Sequence, residues 1–152
     1  MARSSGVLEF AVLGLLHDSP MHGYELRKRI GSALGTFRAY SYGSLYPALK
    51  TMTSEGLIAA DDASGAGRRS KIVYRLTADG KERFQELVSE SGPASWEDEA
   101  FGVHLAFFAR TNKDVRLRIL EGRRSRLEER LDTLRTSLRQ ASERVDSYTL
   151  AL

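Results

Sequence analysis

Two short stretches hold the residue types best suited to chemistry, and that chemistry is binding rather than bond breaking. Arg68-Arg69-Ser70-Lys71 crowds three cations into four positions, just beyond the small residues Ser64-Gly65-Ala66-Gly67. Guanidinium and ammonium groups on such a loop suit the phosphates of a polyanion. The second stretch is Ser41-Tyr42-Gly43-Ser44-Leu45-Tyr46. Its hydroxyls can donate and accept, and its glycine lets a backbone come close. At the start of a helix, such residues can meet base edges, while free backbone N–H groups favour a phosphate. Arg38 and Lys50 could add phosphate contacts, as could Arg27-Lys28-Arg29, although that triplet also reads as a solvated helix face. Tyr46 reads either as a base reader or as core. Tyr24 can pack its ring and still offer its hydroxyl.

Other chemistries find little support. The chain has no cysteine, which removes disulfide staples, thiol catalysis and thiolate metal sites. His17, His22 and His104 lack metal-ligand spacing and a paired carboxylate, so no metal is expected. Gly65-Ala66-Gly67 does not lead from a strand into a helix, which defeats a dinucleotide-loop reading. No nucleophile, base and orienting group form a recognisable set. The expectation is a protein without a cofactor and not an enzyme. The net charge of +3 over 152 residues does not by itself point to nucleic acid; the placement of the cations has to carry that argument. Val7 to Leu16 is the longest apolar run, but Glu9 interrupts it and it is too short to span a bilayer. Nor does His17-Asp18-Ser19-Pro20 resemble a cleavage site after a leader. The sequence therefore suggests a cytoplasmic protein with no membrane partner.

The elements that must position these residues follow from periodicity. Val7 to His17 is apolar nearly all round, the pattern of a central buried helix, and Asp18-Ser19-Pro20 ends it. A second helix from about His22 to Leu34 carries Leu26, Ile30, Ala33 and Leu34 at helical spacing. Arg38 to Gly43 is a turn. A third helix presents Leu45, Leu49 and Met52 inward. Pro47 favours Ser44 as its cap, with Ser41 the alternative if Pro47 kinks the helix. Strands follow at Leu57 to Asp61 and Lys71 to Leu76, with the basic loop between them. Thr77 caps a fourth helix that runs to about Glu90, and Ser91-Gly92-Pro93-Ala94-Ser95 reads as a linker. Three helices and a hairpin make the winged helix-turn-helix plan. The fold class is mainly α, within α+β: a winged domain over 1–91, then a helical, coiled-coil-like dimerisation region over 95–152.

That second region holds a heptad. One seam reads Leu117, Leu131, Leu138, Val145 and Leu152, with Arg124 as the exception, placed either to set the register or to meet an acidic neighbour such as Glu128. The other reads Leu120, Leu127, Leu134, Ala141 and Tyr148. A lone helix cannot bury such a stripe, so it needs a partner. Trp96, Phe101 and Phe108, with Phe107, read as core and interface packing, or as the lining of an apolar ligand pocket.

At several of these positions the sequence resembles the PadR family of bacterial transcriptional regulators. The resemblance rests on Met21-His22-Gly23-Tyr24-Glu25-Leu26, Gly43-Ser44-Leu45-Tyr46-Pro47-Ala48-Leu49-Lys50, Glu55-Gly56-Leu57-Ile58 and Tyr74-Arg75-Leu76-Thr77-Ala78-Asp79-Gly80. It covers about residues 7 to 90. Asp98-Glu99-Ala100-Phe101 onward is similar, more loosely, to the C-terminal helical domain of the longer members. The resemblance implies a homodimer on an inverted-repeat operator in double-stranded DNA, usually a repressor of its own or neighbouring genes, often released by a small aromatic or apolar effector. It puts DNA contacts on Tyr24, Ser41, Tyr42, Gly43, Ser44, Tyr46, Lys50 and the loop bearing Arg68, Arg69 and Lys71. Winged helices also bind proteins, so an interaction adaptor is the competing reading.

Overall fold

The computed structural model describes residues 2–33, 42–62 and 72–151. Helix α1 (Ala2–Asp18) starts five residues before the apolar run and stops where Ser19-Pro20 follows. Strand β1 (Met21–His22) leads into α2 (Gly23–Ala33). A 3-10 turn (Tyr42–Ser44) opens α3 (Leu45–Ser54), and the hairpin strands are β2 (Ile58–Asp62) and β3 (Ile72–Leu76). Helix α4 (Ala78–Val88) closes the wing. Beyond it come a 3-10 turn (Pro93–Trp96), α5 (Asp98–Ala106), another 3-10 turn (Phe108–Arg110) and α6 (Lys113–Ala151). Among the described residues no helix is long and apolar enough to cross a membrane.

The sheet has three antiparallel strands in the order β1-β3-β2. Strand β1 has no periodicity signal, because two residues are too few to alternate. It forms by pairing Met21 with Tyr74 and His22 with Val73, which ties the start of α2 to the wing. In the hairpin, Ile58 faces Leu76 and Asp62 faces Ile72. On β3, Tyr74 and Leu76 pack on the core, while Ile72 on the same face is exposed.

Local rules explain the junctions. Helix α3 ends at Gly56, whose φ of 78° is open to glycine at little cost. There Leu57 N–H reaches back to Met52 O at 3.0 Å and Gly56 N–H to Thr53 O at 3.1 Å, the paired closure of a Schellman motif. Ser44 does stand at the helix boundary, as Pro47 requires, but its hydroxyl makes no capping bond because a 3-10 turn precedes it. Thr77 does cap α4. Its hydroxyl oxygen accepts from Gly80 N–H at 3.0 Å and donates to the Gly56 and Leu57 carbonyls at 2.7 and 2.8 Å. Gly80 sits so close to Leu57 O that a Cβ there would lie 2.0 Å away. The base of the wing is thus locked to the helix behind it.

The core is built around α1. Leu8, Val12, Leu13 and Leu16 are buried with Leu26 and Ile30 of α2, Leu45 and Leu49 of α3, and Phe84 of α4. The same cluster takes in Val103 of α5 and Phe107 just past it, so elements on both sides of the 91–95 stretch share one interior. Phe107 fits because Gly14 has no side chain; a Cβ there would lie 2.1 Å from the ring. Phe10 packs on Phe84, Phe107 and edge-on against His104, whose ring lies 4.8 Å away.

His104 is buried and its Nδ1 has no hydrogen-bond partner among the described residues. Burial disfavours the imidazolium and lowers its pKa to about 4, from an ordinary value of 6.5. The folded protein therefore binds this proton less readily than the unfolded chain. The stabilisation is complete above pH 6.5 and is lost as the pH falls toward 4. We expect acid melting curves of the wild type and His104→Phe to diverge in that window. The wild type should lose about 2 to 3 kcal/mol that the variant keeps. Parallel curves would show that His104 does not titrate in this way.

Candidate nucleic-acid interface

Helix α3 separates its two faces cleanly. Leu45, Leu49 and Met52 are buried, whereas Gly43, Ser44, Tyr46, Pro47 and Lys50 are exposed. The spacing of the apolar residues turns them all to one side, so the opening turn and its hydroxyls face out. Because the Ser44 hydroxyl makes no cap bond, it is available to an incoming partner. Thr51, one turn after Pro47, donates its hydroxyl to Pro47 O at 3.1 Å.

Tyr46 is both packed and presented. It is 51% exposed, yet its ring leans on the start of α2. A Cβ at Gly23 would meet Tyr46 Cε1 at 3.1 Å and Tyr74 Cε2 at 3.6 Å. Gly23 thus lets α2, α3 and the wing strand β3 converge on a pair of tyrosines. Burial, with Tyr46 alongside, pushes the Tyr74 hydroxyl above its ordinary pKa, so it stays a neutral donor. Sequence reasoning missed Gly23 and Tyr74 as part of this surface. Their place in it depends on β1 pairing, which no local pattern announces. Tyr24 is 67% exposed on the first turn of α2, near the same junction.

The cations divide. Lys50 is exposed on α3 and Lys28 on α2. Arg29 is held by Glu25 one turn earlier, at 2.8 Å, and this contact lowers the Glu25 pKa. On the wing, Arg75 pairs across strands with Asp61 at 2.9 Å. Arg38, Ser41, Arg68, Arg69 and Lys71 lie outside the described residues, as does the side chain of Tyr42. Among the described residues no group of three or more histidines and acids could hold a metal ion.

The other candidate residues occupy the joint between α5 and α6. Phe101 is buried with Val115 and Ile119, and Phe108 packs on that cluster. Trp96 lies against Gly122, where a Cβ would come within 1.9 Å of the indole. Arg123 donates to Trp96 O at 2.8 Å and stands 5.0 Å over the Phe101 ring. Helix α6 then leaves the body. Leu117, Leu120, Leu127, Leu131, Leu134, Leu138, Val145 and Tyr148 are exposed along it. Arg124 interrupts the seam and pairs with Glu128 at 3.0 Å.

Comparison with known proteins bears on this surface. Residues 12–86 match the model of the transcriptional regulator PadR-like family. The negative transcriptional regulator PadR of Bacillus subtilis (strain 168) is 31% identical over 87 residues, covering 57% of this chain and 48% of that protein. The matched stretch therefore spans about half the length of this curated relative. The crystal structure of Bacillus subtilis PadR in complex with operator DNA is similar over 86% of this chain and 75% of that one, with 26% identity and a TM-score of 0.52. Bacillus subtilis PadR in complex with p-coumaric acid covers 88% of this chain and 75% of its own, with 25% identity and a TM-score of 0.49. Helices α2 and α3 and the wing strands fall within the matched segment, with parts of α1 and α4, and residues 12–86 are a transcriptional regulator PadR-like family domain.

Proposed function

We propose that this chain is a sequence-specific DNA-binding regulator, acting in the cytoplasm as a homodimeric repressor of its own or neighbouring genes. The observation that carries this reading is the exposed opening turn of α3. Gly43, Ser44, Tyr46 and Lys50 point away from a core that holds Leu45, Leu49 and Met52. Such a turn can enter a major groove and reach base edges, with the wing on the neighbouring backbone. DNA contacts are assigned to Tyr24, Arg38, Ser41, Tyr42, Gly43, Ser44, Tyr46, Lys50, Arg68, Arg69 and Lys71. The regulator PadR of Bacillus subtilis, whose structure with operator DNA shares this fold, supports the assignment. The chain works by binding, not by catalysis. The winged unit is taken as 1–91 and the dimerisation unit as 95–152.

The exposed stripe on α6 favours a second copy of the chain as its cover, because its apolar seam runs on for several heptads beyond the body. Two coiled helices would hold two α3 helices at a fixed separation, matching an inverted repeat. A small aromatic or apolar effector would act by binding one dimer geometry better than another.

Four measurements test the reading. A gel shift on the promoter upstream of the chain's own gene should give a salt-sensitive, sequence-specific complex. Replacing Arg68 and Arg69 with Ala should weaken binding to all sequences and lower the salt slope by about one to two units. An unchanged slope removes the wing from the interface. Tyr46→Phe keeps the ring on Gly23 and deletes only the hydroxyl. It should cost about 1 kcal/mol, roughly fivefold, on the preferred operator and little on unrelated DNA. Equal losses on both would make Tyr46 a positioning contact. Finally, Leu131→Glu with Leu138→Glu should convert a dimer to a helical monomer in sedimentation, with operator affinity lost. A variant that stays dimeric would move the interface off α6.

A further inference from the structure

Gly23 opens α2, yet its backbone does not call for a glycine. Among the described residues the glycine with a positive φ is Gly56, not Gly23. Glycine is also a poor helix former. What excludes a side chain at this position is a pair of rings. A Cβ at Gly23 would stand 3.1 Å from Tyr46 Cε1, 3.6 Å from the Tyr46 hydroxyl oxygen and 3.6 Å from Tyr74 Cε2. The first of these is tighter than an ordinary van der Waals contact. An alanine here would therefore push the Tyr46 ring by a few tenths of an ångström.

The three residues differ in freedom. Tyr74 sits in the central strand, opposite Met21 of β1 and Ala60 of β2, and its ring packs on the core. Gly23 directly follows β1, so the same strand pairing fixes it. Tyr46 is the movable member: it is 51% exposed, beside the uncapped Ser44 on the outward side of α3. Ionisation of Tyr46 opposes that of Tyr74, so the two hydroxyls share one small region. An O–H···O bond is good over a range of only about 0.5 Å. A displacement of a few tenths is thus enough to spoil a bond from Tyr46 to a base edge.

We propose that Gly23 and Tyr74 are positioning residues for sequence-specific recognition: acting through Tyr46, they set where its hydroxyl stands on the reading face of α3. Gly23 is the spacer, Tyr74 the fixed reference and Tyr46 the reader. The role rests on the DNA-binding reading above. It also joins two parts of the surface. Tyr74 belongs to the strand that carries the wing, so the placement of the reader follows the placement of the hairpin. Neither positioning residue has to touch DNA to change which sequence is preferred.

A double-mutant cycle on the full chain tests this, with affinities measured on the preferred operator and on an unrelated duplex. Gly23→Ala should weaken operator binding about fivefold, the worth of one hydrogen bond, and change unrelated binding less than about twofold. In a Tyr46→Ala background the same substitution should change operator affinity less than about 1.5-fold, because the ring it pushes is gone. Tyr74→Val, which suits a strand, should behave like Gly23→Ala, and Tyr74→Phe should restore wild-type preference by restoring the ring. Equal losses on both duplexes, or the same loss with and without the Tyr46 ring, make Gly23 and Tyr74 plain packing residues and overturn the proposal. A readout without DNA checks the contact: in spectra of chain carrying 13C-tyrosine, Gly23→Ala should shift the ring signals of Tyr46 and Tyr74 and leave those of Tyr148. Unmoved Tyr46 signals overturn the proposal even if the operator is bound. A wild-type chain that binds no duplex strikes the regulator reading, and this role with it.

Discussion

Burial of α1 is the constraint on which the rest depends. A helix apolar on nearly every side cannot be stable at a surface, and each buried Val, Leu or Phe side chain contributes about 1.5 to 3 kcal/mol when covered. Leu8, Val12, Leu13 and Leu16 are covered from several directions at once, by α2, α3, α4, β3 and α5. Each covering element has its own duty: α3 presents the polar turn, β3 carries the wing, and α5 leads to α6. Because all of them close on one helix, none can shift far without opening a void against it.

This shared packing explains how a polar surface is held steady. The α3 turn has few bonds of its own: Ser44 makes no cap, and a 3-10 turn leads in. Its position comes from three buried residues beneath it and from Tyr46 resting on Gly23. The wing is anchored in the same way, through Thr77, Gly80 and the Gly56 closure of α3. Side chains offered to a partner are therefore free to meet it, while their backbones are fixed by contacts on the far side.

The C-terminal half follows a different logic. Near its start, α6 is docked by Val115, Ile119 and Gly122, the last because only a hydrogen fits beneath Trp96. Arginines at 123, 126 and 130 reach back to Glu97 and Asp98. Beyond them the helix continues with its apolar seam exposed. At 39 residues it is about 58 Å long, far more than the body can cover. Orientation is thus settled at one end and expressed at the other.

Much of this was legible from residue order. The buried helix, the stop before Pro20, the Leu45-Leu49-Met52 stripe, the Thr77 cap and the α6 seam all depend on neighbours within a turn or two, and short-range spacing records them. Helix, helix, helix, hairpin, helix was therefore plain, and with it the winged plan. What spacing could not record were contacts between distant segments. Strand β1 exists only because Met21 and His22 find β3, fifty residues on. The aromatic residues near 96–108 pack on α1 and α6, Phe107 and Trp96 because Gly14 and Gly122 leave room for them. Gly6 of α1, His104 of α5 and the carboxylates of Glu90, Glu97, Asp98 and Glu99 line one cleft, although most of the winged unit separates Gly6 from the others in sequence. Periodicity and capping are one-dimensional, so the chain alone determined its elements; which glycine admits which ring, and which carboxylates gather at one opening, became definite only when burial of α1 brought remote residues together.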